Sequence, residues 1–221
     1  MSRRVAAAIF LVLALGCGGK PPAQKADGPD LSNPLLYPAR LTETAPDTFR
    51  VRFTTSKGDF VVLVHRAWAP IGTDRFYNLV KNGFYDDQRI YRVVKGFTVQ
   101  FGLNGDPLVN AQWKKAFLVD DSVAHSNLRG TMSFAKGGPT SRTTEVFVNL
   151  KNNPDLDKHG FAPFGKVVEG MDVVDSFYSG YGDGPPRGEG PYQAMAVAKG
   201  NAYLDESFPK LDRIEKAVIE R

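Results

Sequence analysis

Arg92 stands in the stretch YRVVKGFTVQFG, residues 91–102, where almost every neighbour is apolar or aromatic. Gln100 follows eight positions later. Arginine offers five N–H donors in a rigid, permanently charged fork, suited to holding or polarising an acceptor. A buried charge without a partner is expensive, so Arg92 is paired, on an exposed face, or functional. Taken singly, these residues have blander readings: a solvent-facing strand arginine, a surface amide at Gln100, and core phenylalanines at Phe97 and Phe147. Other chemistry finds less support. Asp155, Asp157 and His159 alternate like metal ligands, but they lie in NNPDLDKHG, a run of ordinary turn formers, and no second cluster has ligand spacing. There is no Gly-x-Ser-x-Gly elbow for a hydrolase. The glycine-rich run GYGDGPPRGEG, residues 180–190, continues into prolines where a phosphate cradle would need a helix start, and reads as a long loop.

The elements that must position Arg92 are mostly short strands. Residues 49–55 alternate as a half-buried strand, Lys57-Gly58-Asp59 supplies a turn, and residues 60–65 return as its hairpin partner. Phe76, Leu79 and Val80 give one face of a helix that starts near Pro70 and ends at Gly83. Strands follow at 89–94, 97–101, 131–135, 145–149 and 164–168, with Gly96 as a turn or bulge. A short helix is expected at 171–178, a late strand at 193–198, and a final helix from Phe208 to Ile219, outside the sheet, on apolar positions 208, 211, 214 and 218. Many short strands with no βαβ rhythm indicate an antiparallel sandwich or barrel, and closure into a barrel removes exposed edges.

The N-terminus sets the compartment. Arg3 and Arg4 precede an uncharged apolar run from Val5 to Gly16, a signal-peptide pattern, and Cys17 ends it. Cys17 is the only cysteine, so no intramolecular disulfide can form. One cysteine placed where the apolar run ends resembles a bacterial lipoprotein, in which that sulfur carries lipid. The segment Ala14-Leu15-Gly16-Cys17 departs from the usual pattern, which has leucine where Ala14 stands. The expected layout is a signal peptide over 1–16, a lipidated tether over 17–47 with six prolines after Cys17, a main domain over 48–200, and a helical extension over 201–221. The chain is then exported and lipid-anchored, facing the periplasm or the cell surface; the alternative is a soluble periplasmic or secreted protein. Without residues 1–16, Arg3 and Arg4 are lost, leaving 26 basic against 24 acidic side chains, with none of the basic stripe that nucleic-acid binding requires.

Three blocks make a more specific statement: FYNLVKNGFYDDQRIYRVVKGFTVQFGLNGDP, LRGTMSFAKGGPTSRTTEVFVNL and FAPFGKVVEGMDVVD. In order and spacing, from about residue 49 to 180, the chain resembles the cyclophilins, the peptidyl-prolyl cis/trans isomerases. The resemblance implies a mainly β fold, a closed eight-stranded antiparallel barrel capped by two helices, here with a C-terminal helical extension. It places Arg92 on the catalytic arginine, with Phe97 and Gln100 on the aromatic and the amide that assist it. Phe147 falls on the floor of the proline pocket. Thr98, Ala135, Lys136, Gly137, Glu145, Leu156 and Phe161 fall on substrate-binding positions; Ala135 and Gly137 lie on the backbone-contact strand, and Phe161 stands where many relatives have histidine.

The implied activity is rotation about X-Pro bonds in exported proteins, with no metal or cofactor. The partners are proline-containing segments of client proteins and, through the lipid, a membrane; a monomer suffices and no nucleic acid is involved. Glu145 is a departure, since glutamine is usual there. It either pairs with Arg92 and restrains it or faces solvent. The rival function is a module that binds proline segments without turning them over, as a scaffold or chaperone.

Overall fold

The computed structural model describes residues 32–220. Nine strands form one antiparallel sheet: β1 Thr48–Thr55, β2 Gly58–His65, β3 Gln88–Arg89, β4 Arg92–Val94, β5 Thr98–Phe101, β6 Thr131–Phe134, β7 Val146–Asn149, β8 Pro163–Glu169 and β9 Arg213–Ile219. Their order across the sheet is β3-β9-β1-β2-β8-β6-β7-β5-β4. The end strands β3 and β4 are separated in sequence only by Ile90 and Tyr91, so the sheet must curl to bring its ends together. This gives a curled sheet of nine strands rather than eight, and among the described residues no ladder joins β3 to β4. Its interior is packed with aromatics: Phe53 stacks on Phe60 at 4.7 Å and meets Phe101 edge-on at 5.6 Å. Each such side chain withdrawn from water contributes about 1.5–3 kcal/mol.

Among the described residues five α-helices are added: α1 Pro70–Lys81, α2 Pro107–Trp113, α3 Asp155–Lys158, α4 Met171–Asp175 and α5 Gln193–Ser207. Phe76, Leu79 and Val80 of α1 are buried, as their spacing requires. Asp121 caps its first turn, accepting from the N–H groups of Ile71 and Gly72 at 2.9 and 2.8 Å. None of the helices among the described residues is long and apolar enough to cross a membrane.

Three expectations are corrected. Residues 213–219 are not an outlying helix; they are β9, paired with both β1 and β3. The register slips between Thr54 and Thr55, so Ile214 and Ala217, three apart, both point into the core. A bulge of this kind converts a two-residue alternation into a spacing that imitates a helix face. Residues 193–198 are not a strand but the start of α5, an alanine-rich segment suited to helix. Its inward residues Ala196, Gly200 and Leu204 are spaced by four, and Gly200 takes a non-helical conformation with φ +58°. A side chain at Gly200 would collide with the carbonyl of Gly105, which accepts from the N–H of Asn201. Finally, the expected tether ends early. Leu35 is buried and its carbonyl accepts from the Trp113 indole, Asn78 bonds the backbone of Glu43, and Asp74 accepts from the N–H of Ala45. The signal peptide and Cys17 lie outside the described residues.

Candidate active site

Strand pairing builds the site from single residues. Arg92 on β4 lies opposite Gln100 on β5, which lies opposite Phe147 on β7. Directly opposed residues share a face of the sheet, so these three form one row across three strands. In β4 only the central Val93 is buried, which leaves Arg92 half-buried on the opposite face. Gly96, at φ +68°, forms the turn between β4 and β5, and the N–H of Phe97 bonds the Val94 carbonyl at 2.9 Å.

The row faces a cavity of about 520 Å³. All eleven positions that the resemblance assigns to catalysis or substrate binding line it: Arg92, Phe97, Thr98, Gln100, Ala135, Lys136, Gly137, Glu145, Phe147, Leu156 and Phe161. Phe147 and Phe161 meet edge-on at 5.7 Å and give it an apolar wall. Lys136 is engaged, its ammonium 2.9 Å from Asp120 and 5.6 Å from the centre of the Phe161 ring. The N–H of Ala135 bonds the Glu145 carbonyl and that of Gly137 the Ser141 hydroxyl, so neither amide is idle. Asp157 is a loop brace, accepting from Ser126 and from the backbone and side chain of Asn127. Asp155 pairs with Lys158 on the surface.

Polar bonds fix the row tightly. Arg92 Nη1 donates to Gln100 Oε1 at 3.0 Å. The other end of that amide, Nε2, donates to the Tyr91 hydroxyl at 2.5 Å and to Glu145 Oε2 at 2.9 Å. A flipped Gln100 would set donor against donor at Arg92, so its neighbours determine the amide's orientation. Glu145 also accepts from the Tyr91 hydroxyl and from Gln193 Nε2 at 2.5 Å.

Glu145 therefore neither holds Arg92 nor faces solvent. It is buried, and burial raises its pKa although donors from Tyr91, Gln100 and Gln193 pull the other way. Burial and the adjacent carboxylate push the Tyr91 hydroxyl well above the ordinary tyrosine value. The acid on Arg92 is Asp183, with Nε to Oδ1 at 2.7 Å and Nη2 to Oδ2 at 3.1 Å. These charge-assisted bonds hold the Asp183 carboxyl below the usual range.

Asp183, Pro185, Arg187, Pro191, Tyr192 and Gln193 all line the cavity, so the glycine-rich loop and the start of α5 form a wall of the site. The sequence reading missed this wall. Its one local cue was an acid among glycines and prolines, which carries no distance information.

Comparison with known proteins identifies the family. Residues 50–199 match the model of the family described as cyclophilin type peptidyl-prolyl cis-trans isomerase/CLD. The chain is 31% identical over 180 residues to peptidyl-prolyl cis-trans isomerase A of Dickeya dadantii, covering 79% of this chain and 84% of that protein. It is 28% identical over 176 residues to isomerase B of Escherichia coli, covering 76% of this chain and 97% of the relative. Among solved structures, a cyclophilin type isomerase of Cryptosporidium parvum superposes with a TM-score of 0.58 at 20% identity, over 79% of this chain and 98% of that one. The same protein crystallised in the presence of the dipeptide Ala-Pro gives 0.56 over 78% and 99%. The chain belongs to the cyclophilin-type peptidyl-prolyl cis-trans isomerases.

Proposed function

We propose that this isomerase turns over X-Pro bonds by presenting the Arg92 guanidinium to the prolyl nitrogen. The barrier to peptide rotation, about 18–20 kcal/mol, arises because the nitrogen lone pair is delocalised into the carbonyl. A donor aimed at that nitrogen localises the pair and lowers the barrier. Unassisted isomerisation takes on the order of 10–100 s at 25 °C, so a modest reduction is useful, and no nucleophile or electron transfer is needed. The Arg92–Gln100–Phe147 row facing one cavity is the observation that carries this reading. Phe97, Phe147 and Phe161 line the cavity and offer the pyrrolidine ring an apolar seat. Gln100 orients the guanidinium through its 3.0 Å bond. Thr98, Lys136 and Leu156 lie where residues flanking the proline would contact the wall.

The substrates are proline-containing segments of exported proteins whose folding waits on isomerisation. Support for export lies in the basic and apolar N-terminus, and support for a lipid anchor in Cys17 at its end. The protein then acts as a monomer tethered to a membrane and facing the periplasm or the cell surface. Turnover of a proline peptide by the purified chain tests the reading. Peptide binding without faster isomerisation would instead make it a proline-segment scaffold.

A further inference from the structure

The glycine-rich loop between α4 and α5 supplies a carboxylate that the proposed mechanism does not yet use. Asp183 grips Arg92 along one edge, taking the Nε–H and one Nη2–H, while Gln100 takes one Nη1–H. Three of the five guanidinium donors are thereby engaged. One N–H on Nη1 and one on Nη2 are left for a substrate.

The loop holds this carboxylate in place. Its Oδ1 accepts from the Gly184 N–H at 2.8 Å, its Oδ2 lies 3.1 Å from Arg187 Nε, and the Gly190 N–H closes the loop onto the Asp183 carbonyl at 2.9 Å. The Asp183 side chain is only 17% exposed and that of Arg92 18%, so water competes weakly for either. A side-on carboxylate on one edge and an amide on Nη1 leave the guanidinium plane little freedom to turn.

We infer that Asp183 is a positioning residue of the isomerisation, fixing which edge of Arg92 meets the prolyl nitrogen. The inference rests on Arg92 being the donor. Asp183 touches no reacting atom in this scheme and acts through Arg92 alone. The segment that carries it also carries Gln193, which steadies Gln100 from the other side through Glu145. One stretch, residues 183–193, therefore braces both members of the catalytic pair.

The test is a double-mutant cycle on the full chain with a proline peptide. Isomerisation is followed by exchange NMR, which measures slow variants at high enzyme concentration. Asp183→Asn keeps the shape but sets an amide N–H₂ against one guanidinium donor. We expect kcat to fall about tenfold with KM within twofold, and Asp183→Glu to recover part of the loss. In an Arg92→Lys background, Asp183→Asn should change kcat by less than twofold, because the group it positions is gone.

Unchanged or raised kcat in Asp183→Asn overturns the inference, as does a loss confined to KM. A raised value would mean that the loop competes with substrate. Equal losses in the two backgrounds also overturn it, leaving Asp183 a purely structural brace. If Asp183→Asn fails to fold, Asp183→Ser is read in the same way. Wild-type activity in Arg92→Lys would refute the donor role itself, so the two failures are distinguishable.

Discussion

Replacing Arg92 with alanine removes the proposed donor while sparing the sheet, because Arg92 lies on the pocket face and Val93 carries the core contact of β4. Removing one preorganised donor from a site of developing charge costs about 10²–10³ in rate, about 2.7–4 kcal/mol. The full range applies here because Arg92 is held by three bonds of 2.7–3.1 Å. The cost to folding is similar or somewhat smaller. The substitution leaves Asp183 with the Gly184 N–H and Arg187, so the loss is that of a charge-assisted bond, about 1.5–3 kcal/mol. For a body of this size that is a fall in Tm of roughly 3–12 °C.

Arg92→Lys keeps the charge but cannot reach both Asp183 oxygens and Gln100 from one nitrogen, so it should stay within about tenfold of the alanine variant. Turnover of a proline peptide near 10 °C, where the uncatalysed reaction takes minutes, gives the rates, and circular dichroism melts give the stabilities. A folded Arg92→Ala variant that keeps more than a tenth of wild-type kcat/KM at unchanged KM would refute the mechanism.

Glu145→Gln should raise stability at neutral pH without raising activity, because Glu145 holds Gln100, Tyr91 and Gln193 rather than Arg92. Burial lifts its folded pKa, so its contribution is fully present below the unfolded value, about 4.3, and is lost as pH rises through the folded value. Melting curves of the two proteins should therefore converge in acid, and a constant gap from pH 4 to 7 would contradict this. Truncation after Asp212 removes β9, strips β1 and β3 of a partner, and takes Ile214 and Ala217 from the core. The shortened chain should lose its cooperative melt, and a sharp transition close to wild type would show that β9 is dispensable. Cys17→Ser should abolish incorporation of labelled fatty acid, and an unlabelled wild type would leave simple secretion as the reading.

What could be read from the sequence divides along a physical line. Arg92, Gln100 and Phe147 were singled out by the resemblance to the cyclophilins, since each alone reads as an ordinary strand arginine, surface amide or core phenylalanine, and strand pairing sets the three in a row. The β1–β2 hairpin and the buried face of α1 were accessible because alternating and helix-spaced apolar residues are local patterns. β9 was not, because the bulge opposite Thr54 and Thr55 set Ile214 and Ala217 three apart, which no local rule distinguishes from a helix. α5 was misjudged at its start, where a run of small apolar residues fits either state and tertiary packing decides. The Asp183–Arg92 pair spans 91 positions, and its carboxylate sits among glycines and prolines that have no periodicity. The sequence did flag an acid as able to restrain Arg92, and chose Glu145 because family spacing puts it on the neighbouring strand. Folding instead buries Glu145 among Tyr91, Gln100 and Gln193, which occupy its carboxylate oxygens, and it makes no hydrogen bond to the arginine. The open edge of the guanidinium then falls to the loop. In the proposed mechanism the donor thus comes from a short strand and its orientation from a distant loop.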